Sequence, residues 1–182
     1  EAQIKLADPK KKFPWLKINI GNVYYQQEKY IKAREYYLDA FDIFSSWKKS
    51  ASNTITGKSV ALSNLGRIEK KIKNYDKALD YFLKALDVKR ESLDYQLFLK
   101  DPNKVNKKFG VLKNVANQHL LIAYLYIDWG QPELAMRECE VVDSLFNIVR
   151  GEMKSEVKHI FSVLGNNYSL KTHIYTEMKD YK

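Results

Sequence analysis

Small and aromatic side chains of this chain recur at one fixed offset: Gly21 returns as Gly66, Tyr30 as Tyr75, Ala33 as Ala78, Tyr37 as Phe82 and Ala40 as Ala85, each 45 residues further on. Self-similarity at such a period marks an array of stacked supersecondary units, each unable to bury its apolar face alone. Within each copy the spacing of three, four and seven residues is that of a helix face, not of a strand. The frame continues at Ala123, followed by Tyr126, Gly130, Pro132 and Ala135, with Ala in place of the first Gly. A fourth copy opens as Leu164-Gly165-Asn166-Asn167-Tyr168, and Tyr175 and Lys179-Asp180-Tyr181-Lys182 read as a turn toward a second helix that is not made.

Composition agrees with helices. Only 7 Gly and 4 Pro punctuate 182 residues, too few for the many turns of a β-sandwich, while 45% hydrophobic and 29% charged residues suit a folded chain and exclude disorder. The fold class expected is all-α. One cysteine, Cys139, makes neither an internal disulfide nor a Cys-based zinc site. The longest apolar run, Leu120 to Ile127, falls far short of the roughly 20 residues of a membrane span. The chain begins at Glu1 without a signal-peptide pattern, so it reads as a piece of a longer protein and leaves the compartment open.

The pattern resembles the tetratricopeptide repeat, with Leu-Gly-x-x-Tyr on a first helix, a short turn, and Tyr-x-x-Ala-x-x-x-aromatic-x-x-Ala on a second. The resemblance implies an α-solenoid, a right-handed superhelix of about three and a half antiparallel helix pairs within one domain, with repeats at about 14–47, 57–98, 105–149 and an incomplete 152–182. Gly21, Gly66 and Ala123 would let each first helix approach its second, and Tyr24, Tyr37, Phe82 and Tyr126 would fill the wedges between helices. Helices are expected near 14–28, 30–47, 57–73, 75–98, 105–129, 132–149 and 152–178, with loops around Ser50 to Lys58 and Lys100 to Lys108. Asp101-Pro102, Gly130-Gln131-Pro132 and Gly151 are the expected breaks. The last helix has no successor, so a neighbouring molecule, further sequence or solvent must meet its outer face. The long repeats also look like the sensory region of bacterial multidomain regulators of the Bacteroidetes type, histidine kinases and helix-turn-helix regulators, whose output domain is not in these residues.

Reactive groups do not converge. His119, His159 and His173 show no metal-binding or zincin spacing, and no cofactor or metal is expected. Thr56-Gly57-Lys58-Ser59 echoes the end of a phosphate-binding loop, but Ser52 stands where its first Gly belongs and the segment is expected in a connection between repeats. Cys139 occupies the position of Tyr37 and Phe82, which marks a buried small hydrophobe. No enzyme is expected. The net charge of +9 and pI near 9.4 invite a nucleic-acid partner, yet Lys is interleaved with Glu and Asp, as in Asp87-Val88-Lys89-Arg90-Glu91, which describes a solvated helix surface.

Protein or peptide recognition on the concave surface is the function this implies, with a signalling sensor and a basic nucleic-acid-binding solenoid as alternatives. In repeats of this kind the first helices line that surface, and the inward positions carried onto this sequence include Trp15, Asn22, Tyr25 and Gln26, then Val60, Ser63, Arg67, Lys70 and Lys71, then Asn117, Tyr124 and Asp128, with Asn166 on the last helix. Asn amides suit an extended peptide backbone, the aromatic rings offer flat apolar area, and the cations suit an acidic segment. Self-association through the last helix is a further expectation. Asn22 and Asn64 stand where related repeats that hold a terminal carboxylate place their Asn pair, but Ile18, Asn117 and Leu121 occupy the basic positions, which disfavours a chaperone-tail ligand.

Overall fold

The structure is a computed structural model that describes residues 13–47, 52–91, 100, 108–147 and 157–180. Among these residues there are seven α-helices and no strand: α1 Pro14–Gln26, α2 Tyr30–Ser46, α3 Ser52–Lys71, α4 Tyr75–Arg90, α5 Lys108–Asp128, α6 Pro132–Asn147 and α7 Val157–Asp180. The closest partners are α1 with α2, α3 with α4 and α5 with α6, and successive pairs stack through α2 on α3 and α4 on α5. The all-α solenoid of helix pairs expected from the repeat is therefore present.

Close approach within each pair comes from the small residues. A Cβ added to Gly21 would lie 2.6 Å from Tyr37 Cε1, and one on Gly66 would lie 2.6 Å from Phe82 Cδ1 and 3.2 Å from the Ala78 carbonyl oxygen. Both rings are buried, and they lie over the glycines of the facing helix at the offset that the repeat demanded. In the third pair Ala123, Ala135 and Cys139 are fully buried in one cluster with Phe82 and Phe146.

The turns inside the pairs repeat as well. Glu28, Lys73 and Gly130 all adopt positive φ, at 58°, 61° and 74°. At each, the following amide reaches back five residues, Lys29 N to Tyr24 O at 2.9 Å, Asn74 N to Glu69 O at 2.9 Å and Gln131 N to Tyr126 O at 2.8 Å, which closes the helix. Gly130 meets this left-handed conformation without steric cost, and Pro132 then opens α6.

The start of α3 departs from expectation. It begins at Ser52, not near 57, so Gly57 lies inside a helix and the loop drawn over Ser50 to Lys58 is largely helical. The cause is packing: Gly57 faces the buried Phe44 ring, which a Cβ would strike, and that ring is also met edge-on by Trp15 at 5.2 Å and Trp47 at 5.3 Å. A contact between successive pairs thus outweighs the weak helix propensity of Ser52-Asn53-Thr54 and Gly57. The other expected breaks at Asp101-Pro102 and Gly151 lie outside the described residues, as do Tyr181 and Lys182.

The last helix packs on α6 and α5. Its Gly165, although preceded by Leu like Gly66, has nothing within 4 Å of an added Cβ, and Tyr168 and Tyr175 on the same helix are exposed. Gly165→Ala is accordingly expected to raise stability by up to about 1 kcal/mol through helix propensity alone, measured by urea unfolding. A loss would mean that the face is covered.

Candidate functional site

The first helices of the first two pairs, α1 and α3, converge on a cleft of about 360 Å³ lined by Asn22, Tyr25, Gln26, Tyr37, Val60, Asn64 and Arg67. Helical spacing puts Asn22 and Tyr25 on one face of α1, and Val60, Asn64 and Arg67 on one face of α3. Its floor is a hydrogen-bond chain. Tyr37 O–H donates to Asn22 Oδ1 at 2.8 Å, Asn64 Nδ2 donates to the same oxygen at 3.2 Å, and Arg67 Nη1 reaches Asn64 Oδ1 at 3.5 Å. Asn22 Oδ1 is thus used twice, which orients its NH2 group as a spare donor, while Asn64 Oδ1 retains acceptor capacity against a long contact. Burial holds the Tyr37 phenol neutral, pushing it up to about 12, and burial raises the Tyr25 phenol above its usual 10.0, with Arg67 opposing in both cases. Two neutral hydroxyls and three amides with one guanidinium therefore form the polar part of the cleft.

Of the residues expected to line the groove, Asn22, Tyr25, Gln26 and Arg67 come together here. Trp15 is half-buried and packs on Phe44. Ser63 is buried, donating to Ser59 O at 2.8 Å and to Gln118 Oε1 at 2.8 Å, so it joins α3 to α5. Lys70 and Asp128 are salt-bridged to each other at 2.7 Å across α3 and α5, which neutralises both. Lys71 and Asn166 are exposed, Asn117 is half-buried and Tyr124 is exposed on α5, apart from the cleft lining.

Val60, another of the expected inward positions, lines it too, and Tyr37 and Asn64 complete the lining beyond that set. Tyr37 carried a legible signal: its counterpart one repeat later is Phe82, and the extra hydroxyl is what reaches Asn22. The ring fills the space over Gly21 while the hydroxyl faces the cleft, so one residue serves packing and site.

The remaining reactive groups are absorbed by structure. Thr56 to Ser59 sits within α3 rather than in a connection, Gly57 faces Phe44, and Ser59 Oγ donates to Thr56 O at 3.0 Å, so none of it forms a phosphate cradle. His119 is buried between Glu138 Oε2, 2.6 Å from Nδ1, and Arg90, 3.3 Å from Nε2. His173 is exposed, with Glu177 at 3.9 Å. Among the described residues no group of three or more His, Cys, Asp or Glu is arranged to hold a metal ion, and no helix is long and apolar enough to cross a membrane. Burial pushes the Cys139 thiol up to about 11. Its alkylation by iodoacetamide at about pH 8 is therefore expected to be at least about tenfold slower than in the urea-unfolded chain. Equal rates would place the thiol at the surface.

Several surface lysines are paired with carboxylates: Lys17 with Asp39 at 2.8 Å, Lys84 with Asp80 at 2.7 Å, and Lys171 with Asp143.

The family model described as Tetratricopeptide repeat aligns with residues 14–91, the first two helix pairs and the cleft they form. No curated protein matches the chain.

Proposed function

Because residues 14–91 belong to the tetratricopeptide repeat family, a family of protein-interaction modules, we propose that the chain is a non-catalytic scaffold that binds an extended peptide segment of a partner protein in the α1/α3 cleft. The observation that carries this reading is the linked Asn22–Asn64 pair at the cleft floor, a free donor beside a usable acceptor contributed by adjacent first helices. An extended backbone presents C=O and N–H groups in alternation, and a side-chain amide pair answers both. Tyr25 and Val60 add apolar wall, Arg67 favours an acidic neighbour on the peptide, and the volume falls within the range of about 300–1,000 Å³ typical of ligand pockets.

A displayed random-peptide library selected on the chain supplies the test ligand. Tyr25→Ala combined with Arg67→Ala is expected to weaken the selected peptide at least about tenfold, by fluorescence anisotropy, with the helical circular dichroism unchanged. Tyr124→Ala, outside the cleft lining, should change it less than about twofold. Unchanged affinity in the double variant would remove the cleft from the binding surface.

A further inference from the structure

Glycines inside these helices seat rings. A Cβ on Gly21, Gly57 or Gly66 would strike Tyr37, Phe44 or Phe82, each from a neighbouring helix. Gly165 on α7 and Gly110 in the first turn of α5 seat none. Gly165 is followed by Tyr168, Thr172 and Tyr175 at spacings of three, four and three residues, which puts all four on one face of α7. Tyr168 is 64% and Tyr175 58% exposed, while Val163, Asn167, Leu170 and Ile174 on the opposite face are buried where α7 packs on α5 and α6. The exposed face carries no charge. Beside the stripe lie Ser162, Ser169 and Thr176, and His173 at its border turns to Glu177 at 3.9 Å. The exposed faces of α2 and α4, by contrast, hold Glu35, Asp39 and Asp42, and Asp76, Asp80 and Lys84. With no ion to desolvate, the α7 face is the cheaper one to dehydrate.

We propose that this face pairs with the same face of a second copy of the chain, α7 against α7, antiparallel about a two-fold axis beside Leu170. The spacing reads the same in both directions, so the axis sets Gly165 opposite the partner's Tyr175 and Tyr168 opposite the partner's Thr172. Every layer then joins one small residue to one ring, as Gly21 with Tyr37 and Gly66 with Phe82 do within the chain. A parallel pairing would set ring on ring and glycine on glycine, and leave voids between the rings. Area decides the strength. A fully buried Tyr covers about 150–250 Å², and more than half of each ring is still open, so the two rings alone remove about 200–300 Å² per copy from water. Gly165, Thr172 and the flanking hydroxyl residues extend the contact along about 15 Å of helix. The total, on the order of 1,000 Å² for both copies, lies at the small end of specific interfaces, and a dissociation constant of about 10–100 μM is expected. None of the cleft lining lies on α7, so each dimer keeps two α1/α3 clefts open and holds a partner bearing two segments with avidity. The pairing itself does not depend on what the cleft binds.

Sedimentation equilibrium of the full chain between about 1 and about 500 μM should show a monomer passing into a dimer. Tyr168→Glu and Thr172→Lys should each weaken the dimer at least about tenfold, because each puts a charge into the seam. Mixed in equal amounts, the two variants should recover a dimer within about threefold of the native constant: the antiparallel register sets the introduced carboxylate of one against the introduced ammonium of the other and leaves the second such layer native. Gly165→Ala should raise the urea midpoint at about 1 μM, where the chain is monomeric, and weaken the dimer several-fold at high concentration, where its methyl meets the partner's ring. A damaged fold cannot produce both effects, and the helical circular dichroism of every variant should match the native chain. A monomer up to about 500 μM overturns the pairing and leaves the face to an occupant other than a second copy. A dimer indifferent to Tyr168→Glu, or a mixture that stays monomeric, overturns it as well.

Discussion

Phe82→Ala is expected to lower the unfolding free energy by about 3–5 kcal/mol in urea, one of the two largest effects of any single change in the array. Its ring is fully buried, lies over Gly66 and shares a cluster with Leu86, Ala123 and Cys139, so truncation opens a void between the second and third pairs as well as within the second. Gly66→Ala attacks the same contact from the other side. Helix propensity alone would favour alanine by about 1 kcal/mol, but its Cβ would lie 2.6 Å from the ring and 3.2 Å from a backbone oxygen, so a net loss of about 1–3 kcal/mol is expected. In the Phe82→Ala background that loss should vanish, because the ring that obstructs the methyl is gone. Additive effects would show that the helices are not held apart by this contact.

Arg34→Met should cost about 3 kcal/mol or more, the other large effect. Glu69 on α3 is 1% exposed in its side chain and is bonded to Arg34 of α2, to Asn74 Nδ2 at 3.2 Å in the following turn, and lies 3.8 Å from Lys77 of α4. Three helices are thereby tied to one carboxylate. Removing Arg34 strands a buried negative charge, whereas Glu69→Met leaves an arginine that is 31% exposed and can rehydrate, so it should cost less. Joining the two changes should recover most of the loss of Arg34→Met, since an apolar pair needs no counter-charge. Urea unfolding of the four proteins gives the coupling directly; a double variant as unstable as the sum of the singles would show that the pair does not act as a unit.

The fold was legible because its determinants are local and periodic. Gly21 with Tyr37 and Gly66 with Phe82 announce a small residue facing a ring at a constant offset, and Gly130-Gln131-Pro132 announces a stop and a restart. Where the sequence misled, the cause was a long-range contact. Gly57 looks like a loop glycine until Phe44 is seen against it, and Ser63 looks like a groove residue until Gln118 reaches across from α5. Most of the cleft was legible for the same periodic reason, since Asn22, Tyr25, Gln26, Val60 and Arg67 follow from position within the repeat. Lys70 and Asp128 follow from position too, yet they satisfy each other, a pairing between residues 58 apart in sequence that no local pattern encodes.

The claim on which the functional account stands is that a partner's segment enters between α1 and α3. Side-chain amide resonances of Asn22 and Asn64 in a proton–nitrogen NMR spectrum, followed as a selected peptide is added, report on that place directly. The account predicts that these two amides shift together and saturate with the binding curve, while the Asn166 amide on α7 stays still. Shifts concentrated on α7 or on the outer faces of α2 and α4, with Asn22 and Asn64 unmoved, would contradict it.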